Sequence, residues 1–249
     1  MPKINVYLPD TLASAVKEAG VPVSAVCQAA LADAVGRVGR TRQAITLLRD
    51  PSASTAALAR LAEGLSRRMT PRLVTALAVA GSPPDGQARV SVSSLDLLRG
   101  LLDDGENLAV RLLVTQEIDI DNLRELSVTS AADEPVASFG ETADTPVARM
   151  TLPARAACAA ALEAVIELGH NYVGCEHLLI GLAASDGGAA ELLSQQGARV
   201  EALRQALSGA MAGVVHERRT SAPRDSDTFA DLARRVEAIE RQLAGNGSA

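Results

Sequence analysis

Residues 2–8 alternate. Ile4, Val6 and Leu8 fall on one side and Lys3, Asn5 and Tyr7 on the other, the period-two pattern of a half-buried strand. Pro9 and Asp10 end that strand, and Asp10 is expected to cap a helix reaching about Ala19, closed by Gly20. Ser24 then opens a second helix over roughly 24–37, where Val26, Ala30, Leu31, Ala34, Val35 and Val38 recur at helical spacing. A lone strand leaves both backbone edges unpaired, so residues 1–40 are expected to form a homodimer by pairing two copies of the strand. Residues 41–68 read as two helical pieces broken at "DPSAS", a helical connector into the region that begins at Met69.

The next 140 residues repeat themselves. "MTPRLVTALAVAG…VSVSSLDLLRGLL" aligns with "MTLPARAACAAAL…YVGCEHLLIGLA". Met69 falls on Met150, Thr70 on Thr151, Val92 on Val173, and Gly100-Leu101 on Gly181-Leu182. Each copy, 69–126 and 150–207, reads as helix, connector, helix, acidic glycine turn, helix, helix. Two such copies packed together make an all-helical, pseudo-twofold domain over 69–208. Residues 127–149, acidic and Pro-rich, read as the linker between copies, and 209–226 as a second polar linker. In 227–244, Phe229, Leu232, Val236, Ile239 and Leu243 follow the 3-4 spacing of a coiled-coil seam. That helix either pairs with a second copy, tethered by a dimeric head, or folds back on the body.

Composition supports helices. Of 249 residues 47% are hydrophobic but only 2% aromatic, so cores are built from Ala, Leu and Val. The net charge of −6 excludes a uniformly basic nucleic-acid binder, yet residues 1–50 carry six basic and four acidic side chains. The expectation is a mildly basic head on an acidic body. The two lysines, Lys3 and Lys17, follow no glycine-rich run, so no P-loop ATPase is encoded. Cys27, Cys158 and Cys175 show no paired spacing and read as buried thiols. The first residues lack the apolar run of a signal peptide and no uninterrupted apolar stretch spans a membrane, which places the protein in the cytoplasm.

Candidate chemistry concentrates in "LGHNYVGCEHLLIGL", residues 168–182, with His170, Cys175, Glu176 and His177. Six residues, Gly174 among them, separate the two histidines, unlike the H-x3-5-H spacing of zinc ligands. Glu176 and His177 are adjacent and diverge on a helix by about 100°. Neither a metal, a cofactor nor a catalytic set is expected. His170 and His177 are expected to be satisfied locally, and Tyr172 and Val173 to pack.

Two resemblances add to this. Residues 2–36 resemble the ribbon-helix-helix family of DNA-binding proteins. That likeness implies operator contacts by Lys3, Asn5 and Tyr7 and a phosphate held near Ser24; a dimerisation module with no DNA role reads equally well from the same residues. The second repeat, with "GHNYVGCEHLLIGL", resembles the amino-terminal repeat domain of ClpC-type Clp ATPases, departing mainly by Cys175 in place of Thr. The likeness implies a non-enzymatic binding domain that takes peptides, adaptors, phosphoarginine-marked proteins or cyclic peptide antibiotics. Without ATPase modules, it implies a decoy or modulator of a Clp chaperone. It further implies a phosphoarginine contact through Glu176, with Thr151, because a carboxylate matches a guanidinium fork. The first copy has Leu95 in place of that acid. For the cyclic-peptide groove the positions implied are Met150, Arg155, Leu77 and Ala78. A ligand-responsive DNA-binding regulator is the alternative reading.

Overall fold

The computed structural model describes residues 4–82, 91–130, 134–135 and 145–221. Residues 4–9 carry no regular structure, and no strand longer than an isolated bridge occurs among the described residues. The strand expected over 2–8 is not formed among the described residues, and Lys3 lies outside them. Two helices follow, α1 (Asp10–Glu18) and α2 (Val23–Arg49). Asp10 is the first helical residue of α1, not its cap, and Ser24 lies inside α2, its hydroxyl accepting from Gln28 Nε2 at 3.2 Å.

Helix α2 corrects the expected boundaries. It runs on through residue 40 to Arg49, since neither Gly36 nor Gly39 meets a proline or cap that would stop it. Its first half is exposed, whereas Thr41, Ala44, Ile45 and Leu48 are buried. The break comes at 50–54. Helix α3 (Thr55–Ser66) starts where Ser54 accepts from the Ala57 amide.

Eight helices in two matching sets complete the described chain. The first copy forms α4 (Pro71–Gly81), α5 (Ser94–Asp103), α6 (Leu108–Val114) and α7 (Ile120–Thr129). A 3-10 turn at Pro146–Arg149 leads into α8 (Leu152–Glu167), α9 (Cys175–Ala184), α10 (Gly188–Gln195) and α11 (Val200–Ser221). Side chains cap them at matching places. Thr70 accepts from the Leu73 amide and Thr151 from the Ala154 amide. Ser93 and Asp96 form a capping box on α5. Leu97, Leu98, Leu101, Leu179, Ile180 and Leu182 are almost wholly buried, each contributing about 2 kcal/mol of hydrophobic stabilisation.

Glycines set the closest helix contacts. A Cβ on Gly100 would lie 2.2 Å from the Ala76 carbonyl oxygen, and one on Gly181 would lie 2.2 Å from the Ala157 oxygen. The α4–α5 and α8–α9 crossings thus use the same glycine at the same place, the structural expression of the repeat.

The chain divides into two units, residues 1–203 and 204–249. Of the second, the described part is the run of α11 to Ser221, so residues 209–221, expected as linker, are helical. The coiled-coil segment 227–244 lies outside the described residues. No single helix among those described is long and apolar enough to cross a membrane.

Candidate functional site

The two copies exchange their connectors. Thr70 donates its amide to Val173 of the second copy, and Thr151 donates its amide to Val92 of the first, each at 2.9 Å. Short parallel bridges, Met69 with Val173 and Val92 with Met150, mark these crossings. One corner therefore joins Thr70 to the start of α9, with Cys175 and Glu176. The other joins Thr151 to the start of α5, with Ser94 and Leu95. Glu176 and Thr151, which the resemblance groups at one ligand contact, lie at different corners, because each helix start packs on the opposite repeat.

At the first corner the conspicuous cluster resolves into a packed set of rings. His170 Nδ1 lies 2.8 Å from His177 Nε2, and His177 Nδ1 lies 3.0 Å from the Gly174 amide. An Nε2–H tautomer satisfies both contacts, donating to His170 and accepting from Gly174. The His170 and Tyr172 rings stack at 5.3 Å, and both stand edge-on to His177. Burial, followed by the neighbouring His177, holds His170 below its ordinary value. The two histidines bond to each other instead of converging on an ion, and no metal-holding group of three acidic, His or Cys side chains occurs among the described residues.

Glu176 is 4% exposed, its carboxylate folded over Gly174. Its Oε1 is buried without a hydrogen-bond donor and lies 3.2 Å from His177 Nδ1, the atom that accepts from Gly174. Burial alone would raise this carboxyl. The neighbouring His177 ring, the Glu176 amide and the Tyr172 hydroxyl outweigh burial and hold it below the ordinary carboxylate range. Its ionised form then adds stability above the ordinary carboxylate value, lost as pH falls through the lowered one. Burial and then the Glu176 charge push the Cys175 thiol up to about 12, and burial pushes Cys158 to about 12, so neither is a ready thiolate.

Leu77, Ala78 and Met150 gather around adjoining apolar spaces, and Arg155 lies apart from them. Leu77 and Ala78 line an open apolar cleft of about 330 Å³ between α3, α4 and the turn at 145–147. Val74 and Met69 share its apolar wall, and Glu63, Ser66 and Thr145 supply the few polar groups. Met150 is fully buried and lines, with Leu77 and Val147, an adjoining apolar cavity of about 40 Å³, whereas Arg155 is 1% exposed and turned away from both. Arg155 instead donates to the carbonyls of Leu48 and Leu47, each at 3.1 Å, and to that of Asp50. It caps the C-terminus of α2, whose last carbonyls have no partner within the helix. Burial, only partly offset by Asp50, lowers its guanidinium from the ordinary value. Nothing in the sequence flagged this role, because the accepting carbonyls lie more than 100 residues earlier. Another residue the sequence did not single out, Glu134, occupies the second corner through Ser94, Thr151 and Gly188.

Of the residues expected to read DNA, Asn5 and Tyr7 are exposed on an irregular segment, not on a ribbon.

The chain matches a known protein family over most of its length. The family described as Clp repeat (R) N-terminal domain matches residues 68–196 and 149–245. An uncharacterized protein of Mycobacterium tuberculosis is 36% identical over 123 residues, 49% of this chain and 45% of that protein. A second from Mycobacterium bovis matches to the same extent, so the chain spans about half the length of these curated relatives. The chaperone protein ClpB of Mycobacterium leprae is 31% identical over 140 residues, 56% of this chain but 16% of ClpB. Among solved structures, the N-terminal domain of the chaperone ClpD from Arabidopsis thaliana covers 59% of this chain and 96% of its own at 22% identity, with a TM-score of 0.44.

Proposed function

We propose that this chain, which belongs to the Clp repeat N-terminal domain family, is a non-enzymatic module that captures an apolar peptide segment, linear or cyclic. It would act as a decoy or modulator of a Clp chaperone. The observation that carries this reading is the cleft bordered by Leu77 and Ala78. Its volume falls within the range of small-ligand sites, its wall is apolar, and a few polar groups stand where they can orient a ligand. Glu176 is the second contact in this reading. A guanidinium would supply the donor that Oε1 lacks, but the side chain must first turn away from Gly174. One titration tests both. A fluorescently labelled apolar cyclic peptide should lose about tenfold or more in affinity on Leu77→Glu, which places a charge in the apolar wall, and little on Glu176→Gln. Free phosphoarginine should show the reverse dependence. No binding of either ligand by the unaltered protein sinks the proposal.

A second reading rests on the head. Ten of the thirteen large apolar side chains exposed among the described residues fall within residues 4–35, and α1 buries none of its own. Ile4, Val6, Leu12, Val26, Leu31 and Val35 would find cover in a second copy, where two segments 4–8 could pair as the ribbon that one chain cannot make. Such a dimer would turn Asn5 and Tyr7 outward together, as operator reading requires. Light scattering should then give a dimeric mass that Val26→Glu reduces to that of a monomer. A monomeric parent chain would remove the ribbon and the DNA reading with it.

A further inference from the structure

Between the two copies, Glu134 is fastened to the second corner from several directions. Its Oε1 accepts from the Ser94 hydroxyl and from the Gly188 amide at 3.2 Å. Its Oε2 accepts from the Ser94 amide at 2.9 Å and the Thr151 hydroxyl at 2.5 Å. The Ala189 amide donates to Ser94 Oγ at 3.0 Å, which turns the Ser94 proton toward the carboxylate. Alongside, the Pro135 carbonyl accepts from the Leu152 amide at 3.0 Å. Helices α5, α8 and α10 all begin here, so three positive dipole ends face one acid. Glu134 is only 9% exposed.

The donor set has a definite shape. Two hydroxyls and two amides give each of two oxygens two donors, which matches the acceptor capacity of one planar carboxylate. The two related corners also differ in where their acid originates. At the first it belongs to the helix itself, as Glu176. At the second that position is Leu95, and the acid arrives from outside the repeat core. Beside Glu134 opens a cleft of about 450 Å³ bordered by Leu95, Ser130, Pro153, Glu191, Leu192 and Gln195, with Glu134 and Pro135 in its wall. That space is large enough for a short peptide segment next to the carboxylate.

We propose that this corner is a carboxylate-binding site that Glu134 fills in cis, and that a peptide carboxylate fills it in trans when Glu134 withdraws. The site is distinct from the α3–α4 cleft and does not depend on ligand capture there. Occupied by Glu134, it is closed to competitors and ties this residue to both copies, because its donors come from α5 of one and from α8 and α10 of the other. A trans carboxylate would release that tie.

Chemical rescue in the full chain tests the idea. Glu134→Ala should lower the unfolding midpoint by about 5 °C. Acetate at about 100 mM should recover at least half of that loss, whereas sodium chloride at equal ionic strength should not. In amide correlation spectra of the variant, Ser94 and Gly188 should shift saturably with acetate. The parent protein, with its own carboxylate in place, should show neither response. N-acetylalanine and N-acetylglutamic acid amide then separate a chain-end carboxylate from an acidic side chain. Should the alanine variant fail to fold, Glu134→Gln is read in the same way, since its amide NH2 opposes the surrounding donors and should leave the site. Equal effects of acetate and chloride, with Ser94 and Gly188 unmoved, overturn the proposal. Inorganic phosphate outcompeting acetate overturns the assignment to carboxylates.

Discussion

Gly181→Ala should lower the unfolding midpoint by about 10 °C, a loss of about 3 kcal/mol. A Cβ at this position would stand 2.2 Å from the Ala157 carbonyl oxygen, 2.6 Å from the Ala161 nitrogen and 2.9 Å from the Ala161 Cβ. None of these is the far end of a flexible side chain, so relief requires that α8 and α9 move apart as backbones. That opens the packing around Leu178 and Leu182, both buried. Gly64, in the last turn of α3, is the control. A Cβ there meets nothing within 4 Å, and Gly64→Ala should gain about 1 kcal/mol from helix propensity. Thermal unfolding followed by circular dichroism checks both. A Gly181→Ala protein that melts with the parent would mean the crossing is looser than the geometry states.

The second large effect is expected at Arg155. Arg155→Met keeps most of the volume but removes the donors to three carbonyls at the end of α2. The buried Leu48 carbonyl would lose its side-chain donor, while those of Leu47 and Asp50 keep the Asp50 and Ala53 amides, for a combined cost of about 2 kcal/mol. Lysine should not rescue, because a single ammonium cannot match the planar fork that reaches Leu47, Leu48 and Asp50 together. The signature beyond stability is local. Hydrogen exchange should accelerate in α2 from Thr41 to Asp50 more than in α5, as the helix end is released from the repeat. A second tie at the same helix, Arg68 Nη1 to the Thr41 hydroxyl at 2.7 Å, would remain. Uniform acceleration across the domain would show that Arg155 acts as general packing and not as the anchor of α2.

These two residues also show what the sequence disclosed. Gly100 and Gly181 stood out because the repeat aligns them, and the close crossing explains why both are glycine. The helical order of each copy was legible for the same reason, from the alignment of one repeat on the other. Arg155 was not legible. It sits on an Ala-rich helix like any solvent-facing basic residue, and its partners are backbone carbonyls that leave no side-chain signature in the sequence. Glu134 was hidden in the same way, 40 residues from Ser94 and 17 from Thr151 in a stretch whose composition reads as linker. Alternation over residues 2–8 pointed to a strand, but period two reports which faces differ and not whether a partner exists within the chain. The cluster at 168–182 drew attention by residue type, and three-dimensional contacts turn most of it into ring packing.

The most direct test of peptide capture is to map a bound apolar cyclic peptide by amide chemical-shift perturbation on the full chain. Capture in the α3–α4 cleft predicts that the shifted amides gather around Val74, Leu77 and Ala78, with Ser66 and Val147 at the rim of the same cleft. Shifts gathered instead at Tyr172 to Glu176, or no saturable shift at all, would contradict it.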